Sequence, residues 1–180
     1  MKKFDKIVVT HEAALRKKHG AAGLKRIERA IARLVRADAA RGLRTKMLFL
    51  DRAGHMEPIG ATVQRASDRR QVKRAIDDVF RAAEPDYLMI LGAPDVVPHQ
   101  RLINPVSAAD DPDRFVESDL PYACDAPYDT AIRKFLGPTR VLGRLPDVAK
   151  KGDTETSPGL FRPQAAGRAA PGPITRASSR

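Results

Sequence analysis

Apolar residues in the first four fifths of the chain fall into four short runs separated by polar sequence. The runs occupy residues 7–9, 45–50, 86–92 and 139–145. The third, Asp-Tyr-Leu-Met-Ile-Leu-Gly, is apolar at successive positions, which is typical of a strand buried on both faces. The pattern therefore predicts four strands, with the third at the centre of a sheet.

Between the strands, apolar residues recur at helical spacing. A stripe over residues 23–41 predicts an amphipathic helix that stops at Gly42, and residues 11–19 before it predict a short helix or loop closed at Gly20. A second stripe predicts a helix that begins after Ser67 or Asp68 and ends at Pro85. Its members are Val72, Ile76, Val79 and Phe80.

The alternation of strand and helix predicts an α/β fold in three layers. Right-handed crossovers between successive strands place helices on both faces of a mostly parallel sheet of about four strands, a doubly wound, Rossmann-like layout. The fourth strand should lie beside the third. The stretch 93–138 between them is rich in Pro and Asp and shows no long period, so we expect mostly ordered loop there.

Composition changes near residue 148. Residues 149–180 consist largely of Gly, Pro, Ala, Ser and Arg with few large apolar residues, which predicts a disordered tail, because such a segment cannot bury enough surface to offset its ordering entropy. Residues 1–148 are therefore the predicted α/β domain. High-GC DNA read in an arbitrary frame encodes the same residues, so a shifted reading frame is one hypothesis for the tail.

Net charge and cysteine content narrow the range of functions that this chain can have. The formal net charge of +11 raises nucleic-acid binding as a hypothesis. The basic residues fall mostly on predicted helices with no interleaved aromatic, so we favour a solvated helix face. The lone Cys124 excludes an internal disulfide, and the N-terminal apolar run is too short for a signal peptide or membrane span, so the sequence predicts a cytoplasmic protein.

Three segments in a fixed order carry a family resemblance. They are Tyr-Leu-Met-Ile-Leu-Gly-Ala-Pro-Asp-Val-Val-Pro at 87–98, Ser-Asp-Leu-Pro-Tyr at 118–122, and Arg-Val-Leu-Gly-Arg-Leu-Pro at 140–146. Together they resemble the gingipain-type cysteine peptidases, a C25 family with a caspase-like fold. The resemblance covers about residues 7–148 and implies the same α/β architecture.

The resemblance also implies a chemistry. The family uses a His in a His-Gly turn and a Cys at the end of the following strand, both downstream of the Gly-Arg strand, and the thiolate attacks the scissile carbonyl. Those positions have no counterpart here, and His19, the one His followed by Gly, does not follow an apolar strand. His99 and Cys124 are the remaining candidates for a dyad. Acidic neighbours of Cys124 disfavour its thiolate, so we expect an incidental cysteine.

Polar residues in the third-strand turn and the long loop are binding candidates. Asp119 and Tyr122 belong to the Ser-Asp-x-x-Tyr segment, and Asp95 lies in a turn beyond the third strand, where open parallel sheets bind ligands. Seven acidic residues in the loop raise calcium as a hypothesis, but no EF-hand spacing is present and Asx turns explain them, so we expect no cofactor. The seven are Asp110, Asp111, Asp113, Glu117, Asp119, Asp125 and Asp129.

These observations leave three functional hypotheses. The first is the N-terminal subdomain of a gingipain-like peptidase, cut short before its catalytic half and inactive alone, with a peptide or protein as partner once completed. The second is a noncatalytic interaction module that uses loop 93–138 as its contact surface, and the third is a basic nucleic-acid binder. If a catalytic half normally extends the sheet, the fourth strand is left as an exposed edge and self-association follows.

Overall fold

The computed structural model describes residues 4–106 and 108–147, in which strands and helices alternate as far as the third strand. The strands are β1 (Lys6–Thr10), β2 (Thr45–Phe49), β3 (Tyr87–Leu91), β4 (Gln100–Ile103), β5 (Phe115–Ser118) and β6 (Val141–Leu145). The helices are α1 (Glu12–Ala39), α2 (Ala53–Met56) and α3 (Arg69–Ala83), and single 3₁₀ turns occupy Leu120–Ala123 and Ile132–Phe135. The predicted tail, 149–180, lies outside the described residues.

The four predicted strands form one parallel sheet. Its order is β2-β1-β3-β6, and every neighbouring pair is parallel. β1 and β3 lie at the centre, with Ile7, Val9 and Leu88 almost fully buried. The predicted α/β class, the parallel sheet and the position of the fourth strand beside the third are all confirmed.

Helices cover both faces of the sheet. Val9 and Ile90 belong to the large core that includes the apolar stripe of α3, whereas Val8 and Leu91 pack with Ile31 of α1. Since side chains alternate along a strand, we call these the α3 face and the α1 face. This is the doubly wound layout that the sequence predicts.

α1 bends at Gly20, where the backbone leaves helical values with φ 69° and ψ 173°. The bend separates a short first helix from the long amphipathic helix, so both predicted segments are present. The positive φ is one that glycine adopts without steric cost. The short first helix consequently crosses the carboxyl edge of the sheet instead of continuing along its face.

α3 begins at the predicted cap, where the Asp68 side chain accepts a hydrogen bond from the Gln71 N–H at 3.0 Å. It ends at Ala83, and Glu84 takes a left-handed conformation with φ 42°. Pro85 explains this ending, because a proline disfavours helical values for the residue before it.

The stretch 93–138 contains more regular structure than its sequence predicts. β4 and β5 pair in an antiparallel hairpin, with Gln100 opposite Ser118. Each strand has only four residues and a long connection joins them, so no alternating run is long enough to recognise. The hairpin covers a small second core of Leu102, Cys124 and Phe135.

Candidate functional site

All four strands of the parallel sheet end at the same edge, where ligands bind in open α/β sheets. His11 follows β1, Asp51 lies just beyond β2, Gly92 follows β3 and Asp147 lies just beyond β6. We call this the carboxyl edge. The short first part of α1 crosses it and adds its own polar side chains.

Asp147 and His19 form a close polar pair at this edge. The His19 Nε2 and an Asp147 carboxylate oxygen lie 2.5 Å apart, and the Asp147 side chain is only 6% exposed. Ala93 donates its backbone N–H to the same carboxylate at 2.5 Å. Burial opposes ionisation of Asp147, but these hydrogen bonds and the nearby Lys18 outweigh it and lower its pKa.

Lys18 joins Asp147 to Asp95, which the sequence places in the turn beyond β3. The Lys18 Nζ donates to Asp95 at 2.8 Å and to Asp147 at 3.3 Å. Although burial opposes it, these two carboxylates raise the pKa of Lys18. Asp95 thus contributes to an ion-pair cluster at the carboxyl edge, and its side chain remains 59% exposed.

His11 and Asp51 hold the start of α1. The His11 Nδ1 accepts a hydrogen bond from the Ala14 N–H at 3.3 Å, and Asp51 accepts from the N–H groups of Glu12 and Ala13 at 2.7 and 2.8 Å. Burial lowers the pKa of His11, and Asp51 opposes that shift. These two side chains act as helix caps, because they satisfy the first free N–H groups of α1.

An open cleft of about 440 Å³ lies beside these caps. Its lining combines acidic and basic side chains of the first turns of α1 with Asp51. The residues are Glu12, Ala13, Arg16, Lys17 and Asp51. Glu12 is bound to both Arg16 and Arg52 within 3 Å, so most of the charge in the cleft is already paired inside the chain.

An Arg144–Asp119 ion pair connects the three segments that carry the family resemblance. Arg144 of β6 donates through Nε and Nη2 to the two carboxylate oxygens of Asp119 at 2.6 and 2.5 Å. Its Nη1 donates to the backbone carbonyls of Gly92 and Val97. We call this arrangement the Arg144 clamp. It ties the Gly-Arg strand to the Ser-Asp-x-x-Tyr segment and to the turn after β3.

Tyr122, the second candidate of that segment, is completely buried. Its hydroxyl donates to the Pro98 carbonyl at 2.7 Å and accepts from the Gln100 side chain at 2.6 Å. Burial strongly raises the pKa of Tyr122, so its phenol stays protonated. The contacts give Tyr122 a positioning role beneath the turn after β3.

His99 and Cys124 have different surroundings. The His99 Nε2 lies 3.8 Å from a carboxylate oxygen of Asp119, next to the Arg144 clamp. The Cys124 side chain is buried in the small second core, with Sγ 3.5 Å from the Phe135 carbonyl oxygen. Burial raises the pKa of Cys124, and Lys73 and Arg140 only partly oppose it. A protonated, buried thiol is a poor nucleophile.

The acidic residues of loop 93–138 bind groups of the same chain. Asp111 accepts from the Asn104 side chain and the Asp113 N–H, and Asp129 accepts from the Ala131 N–H. Glu117 pairs with arginines of α3 and β4. Over residues 4–106 and 108–147, no three His, Cys, Asp or Glu side chains are grouped so as to hold a metal ion.

A buried ionic network lies under loop 93–138. Its residues were not among the candidates predicted from the sequence. Lys73 and Arg140 have fully buried side chains, and both bind Asp77, at 2.6 and 2.5 Å. Burial lowers the pKa of Lys73, and Asp77 opposes that shift. The only signal of this network in the sequence is that Lys73 and Asp77 are four residues apart, next to the apolar stripe of α3. The network fixes α3 to the residue that precedes β6.

No family model matches the sequence, and searches of curated proteins and of solved structures gave no significant match. In the part of the chain that the structure describes, no helix is long and apolar enough to cross a membrane.

Proposed function

We propose that this chain provides the N-terminal α/β subdomain of a gingipain-like cysteine peptidase, in which it positions catalytic groups supplied by a partner half. The observation that carries the proposal is the Arg144 clamp. Arg144, Asp119 and the Gly92 carbonyl come from the three segments of the resemblance and meet within hydrogen-bond distance. Their order along the chain therefore has a physical basis, because each segment supplies one part of a single contact.

The location of β6 supports the same proposal. It carries the Gly-Arg motif and has one strand neighbour, β3, among residues 4–106 and 108–147. Its free edge is where a further parallel strand can extend the sheet. In gingipain-type peptidases the strands that end in His-Gly and Cys follow the Gly-Arg strand, so this edge would receive the catalytic half.

The burial and the raised pKa of the single cysteine indicate that this chain positions catalytic groups and does not supply the nucleophile itself. Cys124 is the only thiol in the sequence, and it is 2% exposed with a raised pKa. A cysteine peptidase needs an accessible thiolate within reach of a histidine. This chain by itself is therefore expected to hydrolyse no peptide.

A peptidase assay tests both halves of the proposal. The chain alone should show no turnover of peptide substrates, and Cys124→Ala should behave identically. The coding sequence downstream, translated in all three frames, should supply an apolar strand with His-Gly and a later strand ending in Cys. Residues 1–147 co-expressed with that segment should give an active complex. Turnover by the chain alone that Cys124→Ala abolishes, or no such segment, would overturn the proposal.

The β4–β5 hairpin favours a second candidate, a noncatalytic interaction module. Ile103 and Val106 are 50% and 48% exposed beside the acidic part of loop 93–138. An apolar pair at a hairpin end is suited to a protein contact. The co-expression experiment separates the candidates, because the Ile103→Asp variant should leave the peptidase complex active, whereas an interaction module would lose its partner.

A further inference from the structure

The outer edge of β6 has no strand neighbour among residues 4–106 and 108–147, and it exposes apolar surface. Val141 is 61% exposed, and its register partner on β3, Tyr87, is 48% exposed. Gly143, also exposed, lies on the same α1 face, two positions further along. Natural edge strands are commonly protected by lysines, prolines or bulges. β6 has none of these within its five residues.

The backbone direction of β6 follows from one hydrogen bond. Gly92 donates its N–H to the Leu145 carbonyl at 2.9 Å, so the polar backbone groups of Leu145 point toward β3. Since this direction alternates along a strand in a parallel ladder, Val141 and Gly143 also point toward β3. The N–H and C=O groups of Leu142 and Arg144 therefore point outward, where they have no strand neighbour among the described residues.

We propose that, while no catalytic half occupies this edge, a second copy of this chain pairs with it in an antiparallel, two-fold arrangement that places Gly143 opposite Gly143 of the second copy. In this register Leu142 of each copy faces Arg144 of the other. Both outward N–H groups and both outward C=O groups of each copy are then used, which gives four hydrogen bonds. The two sheets become one continuous sheet of eight strands.

The two neighbouring two-fold registers form fewer hydrogen bonds with the outward N–H and C=O groups of Leu142 and Arg144. Centring the pairing on Arg144 places Leu142 opposite Pro146, which has no N–H to donate. Centring it on Leu142 places Arg144 opposite Arg140, whose N–H is already bonded to the Ala123 carbonyl at 3.1 Å.

The side chains fit the Gly143 register as well. On the α1 face, Val141 of each copy meets the half-buried Leu145 of the other, so the most exposed apolar side chain of β6 becomes covered. On the α3 face, Arg144 faces Leu142 of the second copy, and the Arg144 clamp already neutralises its guanidinium. Each strand therefore brings no unpaired side-chain charge to the contact.

A cysteine pair tests the register directly. Gly143→Cys places two thiols at a directly opposed, non-hydrogen-bonded pair with Cα atoms about 4.5 Å apart, which is within disulfide range. An added Cβ at Gly143 meets nothing within 4 Å, so the variant should fold. Mild oxidation should cross-link most of the Gly143→Cys protein. Val141→Cys is the matched control, because its two copies are offset by four residues in this register, about 13 Å along the strand.

Sedimentation of charged variants tests the contact without a cross-link. Val141→Lys should raise the dimer dissociation constant about tenfold or more, because it places an ammonium group against Leu145 at two symmetric positions. Ile103→Lys, at a similarly exposed position on β4, should leave the dissociation constant unchanged. A wild-type monomer at all concentrations, equal cross-linking of the two cysteine variants, or equal effects of the two lysines would each overturn the proposal.

Discussion

β2 and β6 are the two edge strands of the same parallel sheet, and the described part of the chain covers the first while it leaves the second exposed. On β2, Leu48 and Phe49 are buried, and Phe49 donates its N–H to the His55 Nδ1 at 3.0 Å. On β6, Val141 and Gly143 are exposed. Within residues 4–106 and 108–147, the β2 edge is therefore covered and the β6 edge has no strand neighbour.

The two edges are also stabilised by different forces. β2 is held by apolar burial between α1 and the segment after α2, where the Val63 N–H donates to the Leu50 carbonyl at 2.8 Å. β6 has little apolar burial and depends on the Arg144 clamp and on Asp147, which follows it.

Truncation of one apolar side chain to alanine on each edge strand should give the largest difference in the free energy of unfolding. Leu48→Ala is expected to reduce the free energy of unfolding by about 3 kcal/mol, because it leaves a cavity in the main core. Val141→Ala should change it by less than about 0.5 kcal/mol, because the side chain is exposed. Urea denaturation at low protein concentration measures both. Similar losses in the two variants would contradict the contrast between the edges.

Removal of the Arg144 clamp should have the next largest effect. Arg144→Leu is expected to cost about 2–3 kcal/mol, because it leaves Asp119 and two backbone carbonyls without their donor. Arg16→Leu, which breaks an exposed pair with Glu12, serves as the control and should cost less than about 0.5 kcal/mol. If both variants unfold at the same urea concentration, β6 is not held by the clamp.

Asp147→Asn should reduce stability by about 1–2 kcal/mol at neutral pH, because it removes a carboxylate that accepts from Ala93, His19 and Lys18. The pKa of Asp147 is lowered from 3.8, so its contribution is complete above that pH and is lost as the pH falls through the native-state pKa. The two proteins should therefore converge in strong acid. Asp95→Asn, at an exposed carboxylate of the same cluster, should change stability little.

The smallest effect should be a pH dependence at the β2 edge. Burial, together with Arg52 and Lys46, lowers the pKa of His55 from 6.5, so the native state keeps its Nδ1 free to accept from Phe49. Because the unfolded chain takes up a proton first, the stability supplied by His55 is lost as the pH falls below 6.5. The stability difference between wild type and His55→Asn should shrink over that range in thermal unfolding. A constant difference would show that His55 does not cap the edge.

The sequence was informative wherever burial produced a regular pattern. The first three runs predicted β1, β2 and β3, and the Asp68–Gln71 spacing predicted the cap of α3, because these features depend on neighbours within a few residues. The same reasoning placed β6 beside β3. β1 extends one residue beyond its apolar run at each end, whereas β2, β3 and β6 are one or two residues shorter at one or both ends than the runs that predicted them.

Long-range polar contacts could not be predicted in this way. Arg140 binds Asp77 across 63 positions, and His19 meets Asp147 across 128. No local period connects such residues, and charged side chains are normally assigned to the surface. The same limit applies to Asp119: the family resemblance selected it, but only the structure pairs it with Arg144.

The sheet order has a consequence for how the chain folds. The central β1–β3 pair is bridged by Thr10, which donates to the Leu91 carbonyl 81 positions away. Arg144 reaches the Gly92 carbonyl across 52 positions and Asp119 across 25. Contacts this distant in sequence require large loops to close first, which slows folding. We therefore expect the rate-limiting step to be the assembly of β1 on β3, with β6 docking afterwards through its nearer ionic contact.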